Sequence, residues 1–94
     1  MFPSERIERS FQKTLEKIPT DYRASIVAAI RSLTGNPRPE GKRTKQLAGQ
    51  LIVSQFTAQY RLRIDPYRLL YDVDDSRRKV ILLKLAKRDE QTYS

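Results

Sequence analysis

The chain has 94 residues and carries 19 Lys and Arg against 11 Asp and Glu, for a net charge of +8. It has neither cysteine nor histidine, which excludes disulfides, Cys- or His-ligated metal centres and imidazole acid–base catalysis. Such a charge favours a polyanionic partner (nucleic acid, anionic lipid or an acidic protein), and no apolar run approaches the ~20 residues that cross a bilayer.

In chain order, residues 4–18 are expected to form a helix. Ser4 is placed to cap it, and Ile7, Phe11, Leu15 and Ile18 recur at steps of four and three. Pro19-Thr20-Asp21 breaks that helix, with Thr20 as cap of a second helix over 21–33. One face of the second helix carries Tyr22, Ile26, Ala29, Ile30 and Leu33, and Gly35 marks its end. Residues 36–49 are punctuated by proline and glycine and read as a loop, with Arg38, Lys42, Arg43 and Lys45 against Glu40 alone.

The periodicity then changes. Leu51–Phe56, Tyr60–Ile64, Leu69–Val73 and Val80–Leu85 read as strands, turned at Asp65-Pro66 and at Asp74-Asp75-Ser76. Strict alternation in 60–64 puts Tyr60, Leu62 and Ile64 toward the core and Arg61 and Arg63 on the opposite face. Val80-Ile81-Leu82-Leu83 is apolar on both faces, which suits a central strand. Helices followed by strands give an α+β fold: an N-terminal helical hairpin packed on one face of a three- to four-stranded antiparallel sheet. The length predicts one domain over 1–94. No cationic segment leads into an apolar one at the N-terminus, so no signal peptide is expected and the cytoplasm is the expected location.

Arg61 and Arg63, with Arg68 at the start of the next strand and Arg88 beyond the last, form a candidate anion site. The guanidinium fork matches phosphate bidentately. The other reading is a solvated face, with Asp65, Asp72 and Asp74 near enough to pair with some of these arginines; on pattern alone both stand. Tyrosines 60, 67 and 71 read as core or rim. Tyr93, in a polar tail, is either a disordered terminal residue or an aromatic held near the basic face.

The series Lys45-Gln46-Leu47-Ala48-Gly49, then Tyr60-Arg61-Leu62-Arg63-Ile64, Tyr67-Arg68-Leu69-Leu70-Tyr71-Asp72-Val73-Asp74-Asp75 and the strand ending Ala86-Lys87-Arg88 resembles the RelE/ParE toxin superfamily. The likeness runs over about residues 5–93 and is most specific in 60–88. It implies a toxin of a type II toxin–antitoxin pair, held by a cognate antitoxin in a toxin–antitoxin hetero-oligomer. RelE-like members cut messenger RNA in the ribosome; ParE-like members inhibit DNA gyrase without catalysis.

Carried over by position, the RelE-type site implies Arg61, Arg63, Arg68, Arg88 and Tyr93 as catalytic residues. Lys42, Arg43, Lys45 and Lys87 are expected to contact RNA phosphates. The implied enzyme is a metal-independent endoribonuclease with no cofactor; its partners are mRNA, the ribosome and the antitoxin, and no membrane. The alternatives are a ParE-like gyrase inhibitor and a basic RNA-binding module without toxicity. Two departures from the family pattern stand out. No strand precedes the first helix, so Leu51–Phe56 is the candidate replacement, and the C-terminal extension that bears Tyr93 is very short.

Overall fold

The computed structural model describes residues 2–38, 44–53 and 55–87, with 48–51 through their backbone. Its elements are α1 (Glu5–Glu16), α2 (Thr20–Gly35), β1 (Thr44–Val53), β2 (Phe56–Ile64), β3 (Tyr67–Asp74) and β4 (Lys79–Lys87). The four strands form one antiparallel sheet in the order β1-β2-β3-β4. This is the α+β arrangement expected from the sequence.

Helix α1 starts where Ser4, in extended conformation, accepts a hydrogen bond from the Ile7 N–H at 3.3 Å. Glu5 and Glu8 in its first turn and Lys13 in its last complement the helix dipole. Helix α2 departs from expectation: Pro19 precedes its first residue, no side chain caps it, and Thr20 lies inside the helix. Proline supplies a fixed backbone geometry at that junction. Arg23 does further work there, donating through Nη2 to the carbonyls of Glu16 (3.2 Å) and Ile18 (2.9 Å). The Glu16 carbonyl ends α1 and that of Ile18 lies in the turn beyond it, so the arginine ties the bend between the helices.

The main core joins Phe11, Ile18, Ile26 and Leu33 of the helical segment to Tyr60, Leu62, Tyr67, Leu69, Tyr71, Val80, Leu82 and Leu85 of the sheet. Tyr60, Leu62 and Ile64 point to this core as their alternation requires. Tyr22 does not join it. That ring is 45% exposed and only its edge meets Tyr67, with centroids 5.8 Å apart.

Three expectations about the strands are corrected. Thr44–Val53 is strand, so the second part of the expected 36–49 loop belongs to the sheet. The run Leu51–Phe56 is not one strand: β1 ends at Val53 and β2 begins at Phe56, and those two residues pair across the hairpin. The apolar β4 is an edge strand of the described sheet, not a central one.

Its composition has another cause. The register shifts between Leu70 and Tyr71, where Leu70 pairs with Lys84 and Tyr71 with Leu82, leaving Leu83 as an extra residue. A bulge of this kind turns side chains out of strict alternation, so Leu82, Leu83 and Leu85 are all buried. Leu83 belongs to a second cluster with Ile7 of α1, Ala58 and Leu70, and the packing of α1 shields the strand. Helix α1 packs against this edge strand, which also carries Lys79, Lys84 and Lys87, the kind of charge that guards an edge.

Candidate functional site

Strand pairing decides which side chains share the arginine face. Residues directly opposite in an antiparallel ladder lie on the same side. Lys45 pairs with Arg61, Arg61 with Leu70, Arg63 with Arg68, and Arg68 with Ala86. Lys45, Arg61, Arg63 and Arg68 therefore form one cationic field on the side of the sheet away from Tyr60, Leu62 and Ile64. The two hairpin arms that carry Arg63 and Arg68 are joined by the Asp65-Pro66 turn, which holds them in register.

This face is less open than alternation alone suggests. Leu70 and Ala86, its floor, are buried at 1% and 2% exposure. Leu47, Val53 and Phe56 of the β1–β2 hairpin pack against the cluster that contains Leu70, with Ile81 and Phe2. Arg61, Arg63 and Arg68 are accordingly half-buried, while Lys45 is exposed. Apolar walls around guanidinium groups lower the local dielectric and strengthen any interaction they make with an anion.

A carboxylate of the β2–β3 turn serves this field: Asp65 Oδ1 lies 3.6 Å from Arg63 Nε. That is an ion pair but beyond hydrogen-bond length. The Nε atoms of Arg61 and Arg63 are buried and have no hydrogen-bond partner among the described residues. Buried donors are nearly always satisfied, and leaving one unmade is costly. Asp72 and Asp74 do not serve these arginines: Asp72 accepts from the Val73 N–H (2.8 Å), and Asp74 accepts from Ser76 Oγ (2.7 Å) and the Arg77 N–H (3.2 Å). The contacts to Ser76 and Arg77 hold the Asp74 carboxyl below its ordinary range.

The remaining expected site residues fall elsewhere. Lys87 ends β4 opposite Tyr67, on the helix side of the sheet, and is exposed. Lys42, Arg43, Arg88 and Tyr93 lie outside the described residues. Tyr60, Tyr67 and Tyr71 are buried on the side away from the arginines. No described tyrosine is thus available to the arginine face as a proton-transfer group.

A polar network on the helix side escaped the sequence reading. Arg38 donates from Nη1 and Nη2 to the two carboxylate oxygens of Asp75 (3.0 and 2.9 Å) and from Nε to the Tyr60 hydroxyl (2.8 Å). Its guanidinium also lies 5.3 Å from the Tyr60 ring centre. The Tyr60 ring stacks on Tyr71, 5.4 Å between centroids, and the Tyr71 hydroxyl donates to the Pro37 carbonyl at 2.8 Å. Together these bonds fasten the segment after α2 to β2, β3 and the β3–β4 turn. The Arg38 hydrogen bond lowers the pKa of Asp75, while burial and then the neighbouring Tyr60 push the Tyr71 hydroxyl up to about 12. Arg38 and Asp75 are 37 positions apart, and no local pattern joins them.

The half-buried arginine field on a four-stranded antiparallel sheet can be compared with known proteins. Residues 6–92 match the family described as ParE toxin of type II toxin-antitoxin system, parDE. The fold is similar to the crystal structure of the archaeal RelE–RelB complex from Pyrococcus horikoshii OT3. The TM-score is 0.68 at 25% sequence identity, over 85% of this chain and 88% of that one. None of the curated proteins compared with the chain matches it. The chain belongs to the ParE toxin family of type II toxin–antitoxin systems, within the RelE/ParE superfamily.

Proposed function

We propose that this toxin is a ribosome-dependent endoribonuclease that cuts messenger RNA, and that Arg61, Arg63 and Arg68 bind and stabilise the scissile phosphate. The observation that carries this reading is the convergence of Lys45, Arg61, Arg63 and Arg68 on one half-buried face at the end of one hairpin. A phosphodiester offers acceptors to the exposed parts of those guanidinium groups, in the planar geometry they fit. The similarity to a toxin solved as a RelE–RelB complex supports the same branch.

Cleavage by this route forms a bond from the ribose 2′-oxygen to phosphorus and breaks the bond to the 5′-oxygen. The 2′-hydroxyl gives up a proton, charge builds on the phosphoryl oxygens, and the leaving 5′-oxygen gains a proton. Arginine holds its proton to beyond pH ~12 and is a poor acid or base. Arg61 and Arg68 therefore act as fixed positive charge at the developing phosphorane, and Arg63 or Arg88 orients the phosphate. Tyr93 or a basic neighbour assists the 2′-hydroxyl. The ribosome completes the site by holding the message in an attack geometry. Lys42, Arg43 and Lys45 add sequence-independent phosphate contacts, which makes binding salt-sensitive.

An acidic or amphipathic antitoxin segment is the natural inhibitor of a chain carrying +8, since complementary charge speeds association. The second reading, a gyrase inhibitor without catalysis, draws support from the family description itself. It makes the arginines a protein-recognition surface. Adding purified toxin to programmed ribosomes separates the two: codon-phased cuts in the message support the nuclease, and intact message with inhibited gyrase supports the inhibitor.

A further inference from the structure

A second cationic surface lies where the C-terminal end of α1, the start of α2 and the β3–β4 ladder leave a groove of about 680 Å³. Lys17, Lys84 and Lys87 line it, together with Thr14, Tyr22 and Tyr67. No carboxylate is among the described residues that line it. Lys17 and Lys87 are exposed and Lys84 is half-exposed, so their ammonium groups are free to move onto a ligand.

Two features make this more than a solvated lysine face. First, the end of α1 is normally the negative pole of the helix and repels anions. Here Arg23 donates to the Glu16 carbonyl at the end of α1 and to the Ile18 carbonyl just beyond it, placing a positive charge at that pole beside the groove. Second, Tyr22 is 45% exposed although it packs in a T-shaped contact against the buried Tyr67. One aromatic ring is thus held by another with its own surface offered to solvent, in a groove of positive charge. A positively charged groove with an available aromatic surface is what single-stranded nucleic acid uses: phosphates on the cations, a base on the ring.

The groove and the arginine field are neighbours. Tyr67 and Arg68 are consecutive on β3 and point to opposite sides of the sheet, and Lys87 pairs with Tyr67 as Ala86 pairs with Arg68. The Asp65-Pro66 turn is the rim between them, and the Asp65 charge there is balanced by Arg63. A strand passing over this rim meets both surfaces.

We infer that the Lys17–Lys84–Lys87 groove binds the single-stranded RNA that flanks the scissile phosphate, with a base stacked on Tyr22. This rests on the nuclease reading and adds an RNA-binding surface outside the arginine field. The test is fluorescence anisotropy of a labelled single-stranded oligouridylate, titrated with the full chain over a range of salt. Each phosphate contact on a single strand contributes about 0.7 to the slope of log K against log salt. Lys17→Ala/Lys84→Ala/Lys87→Ala is therefore expected to flatten the slope by about 2. Tyr22→Ala is expected to weaken binding about 5- to 150-fold with the slope unchanged.

Arg61→Ala/Arg68→Ala reports on the other surface in the same assay. Loss of binding in that variant alone, with the lysine and Tyr22 variants like wild type, overturns the groove and leaves the nuclease reading standing. Absence of RNA binding by the wild type overturns the groove, while cleavage on programmed ribosomes decides the nuclease reading separately. Wild-type RNA affinity in the lysine variant, with lost affinity for polyglutamate, assigns the groove to an acidic protein segment and also overturns the inference. Circular dichroism of each variant separates lost contacts from lost fold.

Discussion

Arg63 stands directly opposite Arg68 across the β2–β3 ladder. Like charges in that relation cost a sheet about 0.2–1 kcal/mol, and Asp65, 3.6 Å from Arg63 Nε, supplies opposite charge beside them. An arrangement that costs folding energy and gathers cations on one face is expected where an anion must be held, because local rules are broken most often at functional sites. Replacing Arg61 and Arg68 by Ala is expected to lower cleavage by at least about 10²-fold, the usual loss for one electrostatic stabiliser. The far-ultraviolet circular dichroism should stay unchanged. Cleavage at the wild-type rate in a folded double variant removes these residues from catalysis.

The Arg38 network makes a separate expectation about stability. Tyr60→Phe removes the acceptor of the Arg38 Nε bond, and Tyr71→Phe removes the donor to the Pro37 carbonyl. Each change is expected to cost about 0.5–1.5 kcal/mol, or several degrees in Tm for a domain of this size. Thermal unfolding followed by circular dichroism measures both. A double variant that loses less than the sum of the singles would show that the stacked pair acts as a unit.

Acid and base act on the same network with opposite signs. Asp75 has a lowered folded pKa, chiefly through its hydrogen bond to Arg38. Its contribution is present above the unfolded carboxylate pKa and is lost as pH falls through the folded value. Tyr71, raised to about 12 by burial, works the other way. It binds its proton more tightly folded than unfolded, so its contribution is full below about pH 10 and is lost as pH rises toward 12. Urea midpoints against pH are expected to fall at both ends. Asp75→Asn should flatten the acid limb and Tyr71→Phe the alkaline limb; limbs identical to wild type would contradict the assignment.

Burial distinguishes the core from the hairpin tip. Ile26 is fully buried between the helix and the sheet, whereas Ile52 is 61% exposed. Ile26→Ala is expected to cost about 2–5 kcal/mol, a large share of the ~5–15 kcal/mol that holds a small domain folded. Ile52→Thr should stay within about 0.5 kcal/mol of wild type. Denaturant unfolding of the two variants reads the difference directly.

Much of this architecture was legible in the sequence because its signals are local. The Ser4 cap, the stripe Ile7–Phe11–Ile18 and the alternation of Tyr60–Ile64 each depend on residues within one turn or one strand. The Asp65-Pro66 turn and the sharing of one face by Arg61 and Arg63 follow from the same short-range rules. What misled was tertiary. Val80–Leu83 is apolar on both sides because a bulge and α1 bury an edge strand, not because it is central. Leu51–Phe56 has strand composition throughout, yet the chain reverses inside it. Tyr22 lies on the apolar stripe of α2 but stays 45% exposed, meeting Tyr67 in an edge contact. Arg38 and Asp75 meet only because β2, β3 and the helices bring their two loops together.

The most direct test of the central claim is induced expression of the toxin without its antitoxin. Primer extension on cellular messages and a DNA supercoiling assay are run on the same culture, for wild type and for Arg68→Ala. The nuclease account expects growth arrest with codon-phased cuts, unaltered supercoiling, and loss of both arrest and cuts in Arg68→Ala. Growth arrest with intact messages and impaired supercoiling would contradict it and make the arginine field a surface for binding gyrase.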